Sequence, residues 1–116
     1  MARIDLVYLY VTDLERACAF YRDLLGVPLE IDAEDAHWAE ARLPGGIRFA
    51  LHLAGEAAPP QVPGTVRVNF EVDDVEREAD RLRGAGVRIG ETLHEPWGSM
   101  VEVFDPDGYA IELFAR

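Results

Sequence analysis

Few side chains in this sequence combine chemical reactivity with a regular spacing. Arg48 and His52 lie four residues apart in a segment with strand character, so both side chains project from one face. Glu112 and Phe114 share a face of the last apolar segment in the same way. A neutral imidazole suits proton transfer near neutral pH, and a carboxylate can act as its partner or as a second metal ligand. His52 is therefore a candidate for acid–base catalysis, and it also fits ligand contact, packing or metal binding.

Aromatic side chains form a second set with a possible binding role. Tyr8 and Tyr10 share one face of the first apolar segment, and Trp38 opens another. Trp97 lies between a proline and a glycine, a setting that predicts a loop and a lid role. Aromatic rings in loops and on open sheet faces can stack on planar ligands. Trp38 fits a ligand contact and a cover over the core equally well.

The elements that must position these residues occur twice along the chain. The segment 11–16, with sequence VTDLER, recurs as VDDVER at 72–77. The segment 46–51 is echoed in the same way by 108–113. A repeat of this length is a whole supersecondary unit, so the chain is predicted to contain two copies of one module.

Each copy is predicted to fold as βαβββ. In the first, a strand over about 3–12 leads to a helix capped by Asp13 and ended by Gly26, and strands follow around 29–31, 38–43 and 47–53. In the second, a strand over 66–72 leads to a helix capped by Asp74, and strands follow near 87–89, 100–104 and 109–114. Each helix can cover one face of its sheet only, so the opposite faces are expected to line a cleft.

The fold class predicted from this pattern is α+β, a single domain over 1–116. Its two modules span about 1–55 and 65–116 and form curled mixed sheets around the cleft. The segment 55–64 contains three prolines and no periodicity, which predicts a linker between the modules.

Two motifs give the chain a family resemblance over nearly its whole length. They are the pattern VxDLxxxxxFYxxLLG at 11–26 and FDPDGxxIEL at 104–113. Together with the repeat, they resemble the vicinal oxygen chelate superfamily, which includes glyoxalase I, extradiol dioxygenases, fosfomycin-modifying enzymes and bleomycin-binding resistance proteins. The resemblance implies the glyoxalase/bleomycin-resistance fold and a homodimer. It leaves the activity open, because this fold serves isomerases, dioxygenases, transferases and drug binders.

The resemblance also implies four metal-ligand positions, which in this chain are Leu6, Ala50, Arg67 and Glu112. Only Glu112 has a donor atom, since leucine and alanine offer none and the arginine guanidinium has no acceptor. We therefore expect no metal and no cofactor, and a salt bridge from Arg67 to Glu112 in place of the metal. The alternative is that Arg67 reaches solvent at the cleft rim. If the bridge forms, Glu112→Gln is expected to cost about 1–3 kcal/mol of stability.

The composition of the chain indicates which classes of partner and which cellular compartment to expect. The formal net charge is −11, which disfavours nucleic acid and anionic membranes and favours a cationic ligand, although it also serves solubility. No apolar run has the length of a membrane span, and no signal-peptide pattern opens the chain. A single cysteine, Cys18, excludes an internal disulfide, fits a reducing cytoplasm and is predicted to be buried in the first helix.

The favoured prediction from these observations is a metal-free small-molecule-binding protein that sequesters an antibiotic or a planar or cationic metabolite. The alternative is a glyoxalase-like lyase or isomerase, or a dioxygenase, that uses His52 and Glu112 with a relocated metal or as acid and base. A third prediction is an accessory domain whose pocket is filled by Leu6 and Tyr8. The predicted ligand-contact residues are Tyr8, Tyr10, Trp38, Arg48, His52, Arg67, Asn69, Trp97, Glu112 and Phe114.

Overall fold

The computed structural model describes residues 1, 3–56, 58–63 and 66–116, and these divide into two compact units. We call Met1–Gln61 module 1 and Val62–Arg116 module 2. Ala57 and Gly64 of the predicted linker, and Thr65 at the expected start of the second module, lie outside the described residues. Gly55 and Ala58 form an antiparallel bridge, so the first part of the predicted linker turns back on itself within module 1.

Module 1 has the predicted order of elements. Strand β1 covers Leu6–Val11. Helix α1 covers Leu14–Cys18 and continues as a π-helical segment over Ala19–Leu24. Three strands follow, which are β2 at Glu30–Ile31, β3 at Trp38–Arg42 and β4 at Arg48–Leu53. The sheet order is β1-β4-β3-β2. Strand β1 pairs with β4 in parallel, and the other two pairs are antiparallel. The last strand of the module therefore lies at the centre of the sheet beside the first.

Module 2 repeats this topology. Strand β5 covers Val68–Glu71, and helix α2 covers Val75–Gly84. Three strands follow, which are β6 at Leu93–Glu95, β7 at Gly98–Phe104 and β8 at Ala110–Ala115. The sheet order is β5-β8-β7-β6, again with one parallel pair beside two antiparallel ones. The predicted α+β class is confirmed, with two open, four-stranded mixed sheets. In the described part of the chain, neither helix has the length and apolar character of a membrane span.

The repeated sequence motif marks the start of each helix. The carboxylates of Asp13 and Asp74 accept hydrogen bonds from the backbone N–H groups of Arg16 and Arg77 at 3.0 and 3.1 Å, as N-caps do. The first helix was expected to end at Gly26, and its second half, up to Leu24, is π-helical. The π-helical segment coincides with two consecutive buried rings, those of Phe20 and Tyr21.

The helix packs on one face of each sheet, and the core lies there. In module 1, the ring of Tyr21 lies 5.2 Å from that of Phe49 on β4, which fixes the face that the helix covers. Cys18 is fully buried on the same side, as predicted, and burial raises the pKa of its thiol. In module 2 the corresponding buried residues are Leu82 on α2 with Val101, Val103, Ile111 and Leu113 on the sheet.

The prediction of a regular strand near 87–89 is wrong, because this segment forms no named strand. Ile89 forms only an isolated bridge with Val103, and the strand that pairs with the start of β7 is β6. The backbone on either side of Ile89 bonds to the far end of β7, where Gly90 donates to the Glu102 carbonyl at 2.9 Å. Strand pairing depends on a distant partner, so the local apolar alternation of this segment did not determine it.

Candidate functional site

Four rings meet on the face of the module 1 sheet that lies opposite the helix. We call Tyr8, Tyr10, Trp38 and His52 the aromatic cluster. The register places Tyr10 and Trp38 on either side of His52, with Tyr8 one pleat away on β1. Ring centroids are 5.2 Å apart for Tyr10 and His52, and 5.3 Å apart for Tyr8 and Trp38. The structure thus brings together four residues that the sequence predicted to contact a ligand.

The rings of the aromatic cluster are tilted or perpendicular to one another. Tyr8 and Trp38 meet at 61°, and Trp38 and His52 at 83°. Tyr8 is 39% exposed, and the other three are half-buried. The Tyr8 and Tyr10 hydroxyls lie 3.5 Å apart, and this contact raises the pKa of Tyr10. The cluster therefore offers partly exposed ring surface that suits stacking of a planar group.

The imidazole of His52 has a defined hydrogen bond. Its Nδ1 lies 2.7 Å from the backbone carbonyl oxygen of Leu53. Because a carbonyl only accepts, Nδ1 carries the hydrogen and donates it. The lone pair of the neutral ring is then on Nε2. His52 belongs to module 1 and Glu112 to module 2, so neither module by itself contains the predicted acid–base pair.

A carboxylate that the sequence analysis missed lies beside the cluster. Glu40 on β3 accepts a hydrogen bond from the Trp38 indole N–H at 2.9 Å. Arg48 contacts the same carboxylate at 3.3 and 3.4 Å, and donates to Asp5 at 2.5 Å. The bond to Asp5 raises the pKa of the Arg48 guanidinium. Strand parity alone would have found Glu40, because it lies two residues after Trp38 on the same face.

The face of the module 2 sheet opposite its helix carries a group of charged side chains. We call Arg67, Glu102 and Glu112 the charged cluster. Arg67 forms a salt bridge with Glu102, and its Nη1 also lies 3.8 Å from a Glu112 oxygen. The predicted Arg67–Glu112 contact is confirmed, but Arg67 is shared with a second carboxylate that the prediction omitted. Glu102 and Glu112 are direct partners across β7 and β8, and Asn69 is the partner of Glu112 on its other side.

The second carboxylate reduces the expected cost of removing Glu112. In Glu112→Gln, Arg67 keeps Glu102, and the Arg67 side chain is about half exposed. We therefore expect the free energy of unfolding to fall by less than about 1 kcal/mol, below the range expected from the sequence. Urea denaturation measures this difference, with Glu71→Gln as a control because Glu71 pairs only with the exposed Arg116 among the contacts described. A loss of about 3 kcal/mol would mean that Glu112 carries the ion pair alone.

Trp97 lies between two strands, as predicted, and the connection is the tight turn of a hairpin. Trp97 occupies the turn between β6 and β7 and is 55% exposed. The Trp97 ring lies 5.7 Å from the Phe114 ring. The Arg116 guanidinium lies 5.0 Å from the Phe114 ring. Trp97 and Phe114 thus form a second, smaller pair of rings that is anchored by a hairpin.

Two surface cavities adjoin these groups. A cavity of about 570 Å³ in module 1 is lined mainly by the chain start and the β3–β4 turn, and Asp5 lies on its wall. A cavity of about 470 Å³ in module 2 is lined by Arg67, Glu102, Met100 and Leu93, among others. The second cavity therefore adjoins the charged cluster.

The four positions implied as metal ligands do not fit a divalent ion. Leu6 is half-buried, Ala50 is fully buried, and Arg67 is paired with carboxylates. A guanidinium between Glu102 and Glu112 supplies positive charge where a cation would need open donor atoms. Within the described ranges, no three His, Cys, Asp or Glu side chains are grouped closely enough to hold a metal.

Comparison with known proteins agrees with the fold. The family model of the Glyoxalase/Bleomycin resistance protein/Dioxygenase superfamily matches residues 3–113. The chain belongs to this superfamily. No curated protein matches this chain significantly.

Several solved structures superpose on nearly the whole chain. TnmS3, an antibiotic binding protein from Streptomyces sp. CB03234, is 28% identical with a TM-score of 0.80, covering 99% of this chain and 96% of its own. Lactoylglutathione lyase from Agrobacterium tumefaciens is 22% identical with a TM-score of 0.75, covering 99% and 94%. The fosfomycin resistance protein FosX from Listeria monocytogenes is 16% identical with a TM-score of 0.78, covering 100% and 94%. The last two show the shared fold alone.

Proposed function

We propose that this protein binds a planar small molecule on the aromatic cluster without a metal ion, and that it acts by sequestering that molecule. The observation that carries the proposal is the group of four partly exposed rings, with Tyr8 39% exposed. Partly exposed rings at fixed angles present stacking surface that a ligand can cover. The ligand class is an antibiotic or a planar or cationic metabolite. The likeness to an antibiotic binding protein supports this direction.

The remaining predicted contact residues belong to the same proposal. In module 2 they are Arg67, Asn69, Trp97, Glu112 and Phe114, with the two rings as apolar contacts and the others as polar ones. Binding without metal is supported by the donor chemistry, because the guanidinium of Arg67 is bonded to the carboxylates that a metal would need.

We also propose a cytoplasmic homodimer. Light scattering coupled to size-exclusion chromatography tests the dimer.

The binding test uses the fluorescence of Trp38 as its reporter. Trp97→Phe leaves Trp38 as the sole tryptophan of the chain. Titration with proflavine, acridine or anthraquinone sulfonate covers a cationic, a neutral and an anionic planar probe. We expect saturable quenching of Trp38 emission by at least one probe. In the same background, Tyr8→Ala is expected to weaken binding about fivefold to tenfold, because it removes one stacking surface.

Two controls limit this interpretation. Ile4→Ala changes an exposed apolar residue on the wall of the neighbouring cavity and is expected to leave the affinity unchanged. If Ile4→Ala weakens binding and Tyr8→Ala does not, the cavity rather than the cluster holds the probe. Absence of saturable quenching with all three probes would contradict the proposed function. Near-stoichiometric metal in elemental analysis of the purified protein would contradict binding without metal.

The hydrogen bond of His52 favours a second candidate function. A lone pair on Nε2, with Nδ1 held by a carbonyl, is a tautomer that can act as a general base or as a metal ligand. The second candidate is therefore a glyoxalase-like lyase or isomerase, or a dioxygenase, that uses His52 and Glu112. Metal bound in proportion to protein and lost in both His52→Ala and Glu112→Ala would support this candidate over sequestration.

A further inference from the structure

Glu40 is an anionic group at the edge of the aromatic cluster. Its side chain is about one-third exposed, at 36%, and the Trp38 indole fixes one carboxylate oxygen at 2.9 Å. Its cross-strand partner on β4 is Ala50, the smallest residue on that face. Ring surface and a fixed carboxylate are thus next to each other on the face opposite the helix. This pairing of groups is typical of sites that recognise an aromatic or alkylated cation.

The charges around Glu40 are not balanced. Asp5, Glu40 and Arg48 form one linked group with two negative charges and one positive charge. Arg48 is bound unequally, because its distance to Asp5 is 2.5 Å whereas its contacts with Glu40 are 3.3 and 3.4 Å. Hydrogen bonds between ionised groups are normally about 2.7–2.9 Å, so the Glu40 contacts are weak ones. One guanidinium is thus shared by two carboxylates, and it holds Glu40 by the longer contacts.

We propose that Glu40 selects positively charged guests, and that Arg48 is an internal counterion which the guest's cationic group replaces at Glu40. The inference rests on the proposed function, since it concerns the guest of the same aromatic cluster. When the guest binds, its planar part lies against the rings of Tyr8 and Trp38 and its cation contacts the Glu40 carboxylate. Arg48 keeps its shorter bond to Asp5, so its displacement leaves no guanidinium without a partner.

Module 2 contains a matched position for this test. Glu102 occupies on β7 the place that Glu40 occupies on β3, because each faces the central strand, opposite Glu112 and Ala50 respectively. Glu102 is paired with Arg67, whereas Glu40 accepts a hydrogen bond from the Trp38 indole of the aromatic cluster. The two glutamates are therefore equivalent in the fold but differ in their surroundings.

The experiment compares proflavine with acridine, which share a ring system but differ in charge at neutral pH. Calorimetric titration gives the affinity of both probes for the native chain and for Glu40→Gln. The amide keeps an oxygen for the Trp38 indole, so the rings stay in place while the charge is lost. We expect Glu40→Gln to weaken proflavine binding at least about fivefold and to leave acridine unchanged. Glu102→Gln, the matched control, is expected to change neither affinity.

Removal of the internal counterion should act in the opposite direction. Arg48→Gln leaves Glu40 without competition, so proflavine is expected to bind more tightly than to the native chain. Equal losses for both probes in Glu40→Gln, or equal effects of Glu40→Gln and Glu102→Gln, would overturn the selection by Glu40 while leaving the binding function intact. Failure of both probes to bind the native chain would overturn the inference, and failure of anthraquinone sulfonate as well would overturn the binding function.

Discussion

Replacement of Gly98 with alanine is expected to lower the free energy of unfolding by about 3 kcal/mol, because the backbone and its surroundings both exclude a side chain there. Gly98 has a φ of 149°, a conformation that L-residues rarely adopt. A Cβ at this position would lie 2.4 Å from the backbone oxygen of Ala115 and 3.1 Å from the Phe114 ring. Either β7 or β8 must shift, and the pairing of Trp97 with Phe114 shifts with it.

Gly90→Ala is the matched control for this loss. Its added Cβ would meet only the Glu102 carbonyl oxygen, at the ordinary contact distance of 3.7 Å, and its φ is outside the left-handed region. Urea denaturation is expected to place Gly90→Ala within about 1 kcal/mol of the native chain. Equal stabilities of Gly90→Ala and Gly98→Ala would show that β8 yields to the added methyl group, and that the hairpin is not held rigidly at Trp97.

The parts of the fold that depend on neighbouring residues followed from the sequence. Asp13 and Asp74 were identified as N-caps because the cap, the first helical turn and the apolar stripe all lie within a few residues. The repeat then extended this local reading to two whole modules. Pairing between strands depends on contacts distant in sequence, so 87–89 appeared to be a strand although β6 begins at Leu93.

The candidate site was also predicted only in part, where the family resemblance specified a position. Arg67 and Glu112 were expected to meet because the family resemblance specified one position on the first strand and one on the last. That resemblance specifies no position on the third strand of a module, so Glu40 and Glu102 were missed. Side-chain parity would have placed Glu40 on the face of Trp38, but the contacts of Glu40 with Arg48 and of Glu102 with Arg67 follow only from the folded structure. The unequal bonds of Arg48 depend on Asp5, which precedes β1 and belongs to no pattern.

Replacement of Arg67 with histidine is expected to create a divalent-metal site in module 2. Glu102 and Glu112 are direct cross-strand partners, and the Arg67 guanidinium lies within salt-bridge distance of both. Arg67→His removes the internal cation and adds a nitrogen donor at a position where the family resemblance implies a ligand. One imidazole and two carboxylates are a sufficient protein donor set for Zn²⁺. We expect calorimetric titration to show Zn²⁺ binding at least about a hundredfold tighter than to the native chain.

Arg67→Met separates the two effects of this change. Methionine removes the guanidinium without adding a nitrogen donor, so the two carboxylates repel each other and bind Zn²⁺ more weakly than in Arg67→His. Glu112→Gln combined with Arg67→His is expected to lose most of the gain, because one of the three donors becomes a neutral amide. If Zn²⁺ binds the native chain as tightly as it binds Arg67→His, the guanidinium does not exclude a cation. In that case the argument that Arg67 takes the place of the metal charge fails, and the enzymatic candidate gains support.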